Sequence, residues 1–119
     1  MKIAVTSDGP EMKSSIDERF GRATGFIVYD LETKEFNFID NHQNINALQG
    51  AGIQAAKTVI NAGATAIITG SVGPKAQAVL REAGIEIFTG STGTVETAIG
   101  DYNAGKLQNQ SETTADGRR

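Results

Sequence analysis

Three short runs of β-branched and small apolar residues, 2–6 (KIAVT), 65–69 (TAIIT) and 85–89 (IEIFT), each stop at a glycine-rich corner. The second and third corners open straight into segments of helical periodicity, which commits the chain to strands joined through helices, because parallel neighbours need a crossover. Residues 65–69 read as a central strand, apolar on both sides as a strand covered from above and below must be. After it Gly73-Pro74 starts a helix with Ala76, Val79, Leu80 and Ala83 on one stripe, ended by Gly84. Proline fits the first helical position, where its missing N–H costs nothing. After Gly90-Ser91-Thr92-Gly93 a further helix carries Val95, Ala98, Ile99 and Tyr102 at i, i+3, i+4, i+7 and closes at Gly105. Upstream, Leu48, Gly52, Ala55, Ala56, Val59 and Ile60 recur at the same period from Ala47, with Gly63 as the stop.

Residues 25–30 (GFIVYD) and 35–40 (EFNFID) are strand-like and joined by four residues, 31–34, a connection of hairpin length. Phe36 and Phe38 share one face of the second run while Glu35, Asn37 and Ile39 take the other, the alternation of an edge strand. The expected fold is α/β: a five-stranded mixed sheet of order 3-2-1-4-5, strand 2 antiparallel, with helices on both faces. Strands 1 and 4 then meet at a topological switch point, beyond whose C-terminal ends ligands collect. Residues 8–24 form a long, mostly polar loop at that edge, and long ordered loops are commonly functional. The single domain is expected over 1–107. Residues 108–119 contain one apolar residue, Ala115, and are expected to be a disordered polar tail.

Composition narrows the chemistry. There is no cysteine, so disulfides, a thiolate nucleophile and cysteine-ligated clusters are excluded. The formal charge of −3 supplies no bulk attraction for nucleic acid or an anionic membrane, so neither is expected as a partner. No apolar run reaches the roughly 18 residues of a membrane span, and 1–6 lead into a strand rather than a signal sequence, so the expected location is the cytoplasm.

Three corners converge on one edge of this sheet: Ser7-Asp8-Gly9, Gly70-Ser71-Val72-Gly73-Pro74 and Gly90-Ser91-Thr92-Gly93-Thr94. Helix N-termini carry unpaired N–H groups and partial positive charge, and glycine lets a ligand approach the backbone, so an anion-accepting crevice is one reading. Tight βα turns are the other. Neither helix-opening corner is a lysine-bearing P-loop or a GxGxxG fingerprint, which disfavours nucleoside triphosphates and dinucleotides. Arg19, Arg22 and Lys75 could add cationic donors to the crevice, or could pair with surface carboxylates such as Asp17 and Glu18. Gly50-Ala51-Gly52 brings further small-residue backbone to the same mouth. His42, the one histidine, is a candidate metal ligand or a solvated loop residue. The strand order resembles the ribonuclease H-like arrangement, whose metal-dependent hydrolysis needs several carboxylates at one point. Here Asp8 follows the first strand, but residues 41–73 hold no Asp or Glu, leaving only Asp17 or Glu18 as its companions.

Met1-Lys2-Ile3-Ala4-Val5, Phe20-Gly21-Arg22-Ala23, Gly50-Ala51-Gly52-Ile53-Gln54-Ala55-Ala56, Gly73-Pro74-Lys75-Ala76 and Gly93-Thr94-Val95-Glu96 occur in the order and spacing of the nitrogenase iron–molybdenum cofactor biosynthesis family, which the chain resembles over 1–107. The resemblance implies a ribonuclease H-like fold without nuclease activity and a non-catalytic carrier of an anionic metal cluster. The cargo would be an iron–molybdenum or iron–sulfur type cluster held without cysteine, exchanged with cofactor-donor and acceptor proteins. Family members often carry a histidine where this chain has Arg19 and another where it has Gln49, so the hold shifts toward backbone N–H groups, Arg19 and Arg22. The expected binding residues are Ser7, Asp8, Arg19, Phe20, Gly21, Arg22, Gly50, Gly52, Gly70, Gly73, Lys75, Gly93 and Thr94, with His42 for metal. A phosphate- or nucleotide-binding regulatory module and a metal-dependent phosphohydrolase using Asp8 are the alternatives.

Overall fold

The computed structural model describes residues 1–44 and 50–107. Its hub is β1 (Lys2–Ser7), which pairs antiparallel with β2 (Gly25–Asp30) and parallel with β4 (Ala64–Ile68). The edge strand β3 (Phe36–Asp40) lies antiparallel on β2, and β5 (Glu86–Phe88) lies parallel on β4. The sheet order is β3-β2-β1-β4-β5, as the sequence pattern implies.

Alternation along these strands builds two cores. Ala4, Phe26, Val28, Ile67 and Ile87 face α1 (Ala51–Asn61) and α2 (Pro74–Glu82), meeting Ala55, Ala56, Val59, Ala76 and Leu80. Ile3, Val5, Ile27, Ala66, Ile68 and Phe88 face α3 (Val95–Asn103) through Val95, Ala98 and Ile99. Helices therefore cover both faces. Each fully buried Ile or Phe contributes about 1.5–3 kcal/mol by leaving water. The alanines of α1 do another job, since a helix of small side chains lies close to its neighbours.

Boundaries differ from the sequence expectation where side chains intervene. The Asp30 carboxylate accepts the N–H groups of Glu32 and Thr33, which holds its pKa below the usual value and coils the hairpin. Lys34 then takes a left-handed φ of 67°, and β3 begins one residue late, at Phe36. β4 ends at Ile68, and Thr69 keeps its N–H on Phe88 O while its hydroxyl pairs with that of Thr6 at 2.9 Å. The ring of Phe38 lies over Gly25, where a Cβ would collide with it, while Phe36 stays 41% exposed on the edge. The helix predicted from Ala47 is described from Ala51, with Gly50 as N-cap at φ 81°. Residues 47–49 and the predicted tail lie outside the described residues. Among the described residues no helix is long and apolar enough to cross a membrane.

Candidate functional site

β1, β4 and β5 end, and α1, α2 and α3 begin, at one edge of the sheet, and the loop of residues 8–24 crosses that edge. Main-chain bonds lock this loop in place. Ser7 bridges Ile16, the Asp17 N–H donates to Thr6 O, and the Thr6 hydroxyl donates back to Asp17 O at 2.7 Å. The Asp8 carboxylate accepts from Ser15 N–H, and that of Asp17 from the N–H groups of Arg19 and Thr24. Phe20 is 2% exposed, its ring tilted against Phe26 at 5.5 Å, so it anchors the loop's second arm in the core.

On the α3 side the edge is closed by the chain itself. A helix has no internal acceptors for its first N–H groups, so α3 opens with three donors, on Val95, Glu96 and Thr97. Ser14 O accepts from Val95 at 3.0 Å, Met12 O from Glu96 at 2.8 Å and Thr94 Oγ1 from Thr97 at 3.2 Å. Gly93 O meanwhile accepts from Ile16 N–H. The Gly70 corner is closed in the same way. Ser71 N–H donates to Glu18 O at 2.7 Å, Phe20 N–H donates to Ser71 O, and a Cβ on Gly70 would stand 2.6 Å from Glu18 O.

On the α1–α2 side the described residues leave the edge open. A cavity of about 320 Å³ is lined by Gly50, Gly52, Ile53, Gly73, Pro74, Lys75 and Ala76. Its size lies at the lower end of small-ligand sites. Gln54 N–H bonds to Gly50 O and Gln77 N–H to Gly73 O, so these are the first intrahelical bonds of α1 and α2. The donors ahead of them, on Ala51, Gly52, Ile53, Lys75 and Ala76, have no acceptor in their helices, and no bond among the described residues engages them. Two helix N-termini thus open on one bay. Close contact draws them together: a Cβ on Gly52 would stand 3.1 Å from the Ala76 methyl. A Cβ on Gly21 would stand 2.8 Å from Gly52 Cα and N, so the Phe20-Gly21-Arg22 segment is pressed onto the first turn of α1.

The expected site residues therefore separate. Gly50, Gly52, Gly73 and Lys75 line the bay, Gly21 packs on its wall, and half-buried Arg22 follows directly. Arg19 is exposed and bridges Ser71. Ser7, Asp8, Gly70, Gly93 and Thr94 are engaged in holding the loop and the α3 cap, and Phe20 is in the core. His42 stands exposed in a 3-10 turn, His42–Asn44, its N–H bonded to the Asp40 carboxylate. Among the described residues no three His, Asp or Glu side chains gather to hold a metal ion. Ile53, Pro74 and Ala76 line the bay although they were not among the expected binding residues, and Asn41, fully buried behind the Gly21 segment, carries no sequence signal. It lies in an Asn-rich connection that reads as an ordinary turn.

With this geometry in place, comparison with known proteins gives a consistent result. The family model described as dinitrogenase iron-molybdenum cofactor matches residues 1–105. An uncharacterized protein of Methanocaldococcus jannaschii is 30% identical over 110 residues, 91% of this chain and 90% of that one. The apo form of the orange protein from Desulfovibrio gigas superposes with a TM-score of 0.89 at 38% identity, covering 91% of each chain. A Thermotoga protein with a provisional NifB assignment does so with a TM-score of 0.80 at 30% identity, again over 91% of each.

Proposed function

Since this chain belongs to the dinitrogenase iron-molybdenum cofactor family, we propose that it is a non-catalytic carrier of an anionic metal cluster, seated in the bay between the N-termini of α1 and α2. The observation that carries this reading is the pair of helix N-termini whose first-turn donors no described residue takes, while those of α3 are all engaged. The orange protein, solved in an apo form, supports it as a relative defined by something it binds.

The lining favours a soft anion over a hard one. Small apolar groups, Ile53, Pro74 and Ala76, make up much of the wall, with backbone N–H groups and Lys75 as the polar component. A sulfide-rich cluster spreads its charge over large polarizable atoms and tolerates such walls. Phosphate is compact and strongly hydrated, and needs more charged donors than this to replace its water. Magnitudes set a further condition. Two N-termini at about 1 kcal/mol each fall short of the roughly 8 kcal/mol of micromolar affinity, so the cargo must touch the N–H groups directly and bury area. The chain has no cysteine, so the hold is by backbone hydrogen bonds and Lys75 rather than by thiolate ligation. On this reading the ribonuclease H-like frame serves as a scaffold without hydrolysis, the Asp8 and Asp17 carboxylates tying down the loop through its N–H groups. The reading places the protein in the cytoplasm, between a cofactor donor and an acceptor protein.

The test uses two tetrahedral dianions of one metal, tetrathiomolybdate and molybdate, added anaerobically at micromolar protein, with molybdenum and visible absorbance followed through gel filtration. Co-elution of the thiometallate alone is the expected result. Retention of neither ion would overturn the carrier reading, and retention of molybdate in preference to the thiometallate would favour the regulatory anion-binding module instead.

A further inference from the structure

We propose that Asn41, the residue that follows β3 and is absent from the bay's lining, is the positioning residue of the bay, gripping the Gly21 segment where it presses on α1. Asn41 is 0% exposed. Its Nδ2 donates to Gly21 O at 3.1 Å and Ala23 O at 2.9 Å, and its Oδ1 accepts from Asn44 Nδ2 at 2.7 Å. Its own N–H donates to Thr24 O, and its carbonyl accepts from Asn44 N–H. Both amide hydrogens and the amide oxygen are therefore engaged, three of these bonds running to a segment some twenty residues upstream.

The grip falls at an informative place. Gly21, whose carbonyl Asn41 holds, is the residue whose Cα lies against Gly52, and Gly52 is a wall of the bay. The next residue is Arg22. Asn41 thus fixes the distance between the Phe20-Gly21-Arg22 segment and the first turn of α1. A buried polar network that is fully satisfied specifies one arrangement, and one that loses a member leaves several buried groups without partners. Removing the amide leaves two carbonyls of the segment and Asn44 Nδ2 unpaired, and the segment lifts from Gly52.

The functional half of this inference rests on the carrier reading, and the structural half does not, so two measurements are made on the full chain. The variants are Asn41→Ala and, as a control of ordinary destabilisation on the opposite face, Ile99→Ala, both studied well below their unfolding midpoints. Amide exchange of Phe20, whose N–H donates to Ser71 O, is expected to accelerate about tenfold in Asn41→Ala beyond the control. Affinity for tetrathiomolybdate is expected to fall about tenfold in Asn41→Ala and to stay near the parent value in Ile99→Ala. Equal exchange in the two variants overturns the positioning role. Faster exchange with parental affinity overturns its bearing on cargo. If the parent itself binds no thiometallate, the carrier reading falls and exchange alone still decides whether Asn41 grips the segment. If Asn41→Ala does not fold, Asn44→Ala takes its place: it keeps both bonds to the segment and is expected to give a smaller acceleration, whereas none relative to Ile99→Ala counts against the network.

Discussion

The two halves of the sheet edge start from the same ingredients and end differently. On the α3 side a glycine corner leads into a helix whose three leading N–H groups are taken by Ser14 O, Met12 O and the Thr94 hydroxyl. On the α1–α2 side two glycine corners lead into helices whose first turns line a bay of about 320 Å³ and whose leading N–H groups no described residue takes. The difference lies in where the 8–24 loop places its carbonyls. A helix N-terminus is a site for an outside anion only while the chain's own acceptors leave it alone.

The sharpest way to break this comparison is Gly21→Val. Its Cβ would stand 2.8 Å from the Gly52 backbone, which has no flexible end to give way. We expect a stability loss of about 1–3 kcal/mol, read from urea unfolding, together with loss of thiometallate binding. Retained binding would show that the Gly21 contact does not shape the bay.

Next in size is Gly73→Leu. Gly73 sits at an ordinary φ of −70° with no atom within 4 Å of an added Cβ, so the fold should accept the side chain while the bay loses room. Affinity is expected to fall about tenfold or more by titration, with little change in melting temperature. An unchanged affinity would move the cargo elsewhere.

How far the sequence foretold this molecule depends on the range of the interaction concerned. Sheet order was legible because glycine stops and helical stripes are local signals, and Gly63, Gly84 and Gly105 take the positive φ that a helix stop requires. The glycine corners were legible as corners. What separates an open corner from a closed one was not, because the bonds of Ser14 O to Val95 and Ser71 N–H to Glu18 are main-chain contacts across dozens of residues and leave no mark on residue type. The Gly21–Gly52–Ala76 contact explains why three separated small-residue motifs belong to one place, yet each alone reads as a turn. Phe20 showed the converse, a motif residue that serves the core.

A smaller effect sharpens the closed half. Thr94→Ala removes the hydroxyl that caps Thr97 N–H and is expected to cost about 1 kcal/mol in unfolding free energy while leaving thiometallate affinity unchanged. A loss of binding there would mean that the α3 cap and the bay are coupled.

The smallest expected effect lies at the far end of α3. Burial chiefly, and Glu86 next, raise the Tyr102 phenol above its usual pKa of about 10. The folded chain therefore holds its proton longer than the unfolded chain, and this contribution is present below pH ~10 and lost as pH rises through the folded value. Melting curves across that window should decline more steeply for the parent than for Tyr102→Phe. Equal slopes would remove Tyr102 as the cause.

The central claim is tested most directly by mapping backbone amide shifts during a tetrathiomolybdate titration. The account predicts that Gly52, Ile53, Lys75 and Ala76 move while Val95, Glu96 and Thr97 stay in place. Shifts confined to the α3 residues would contradict it.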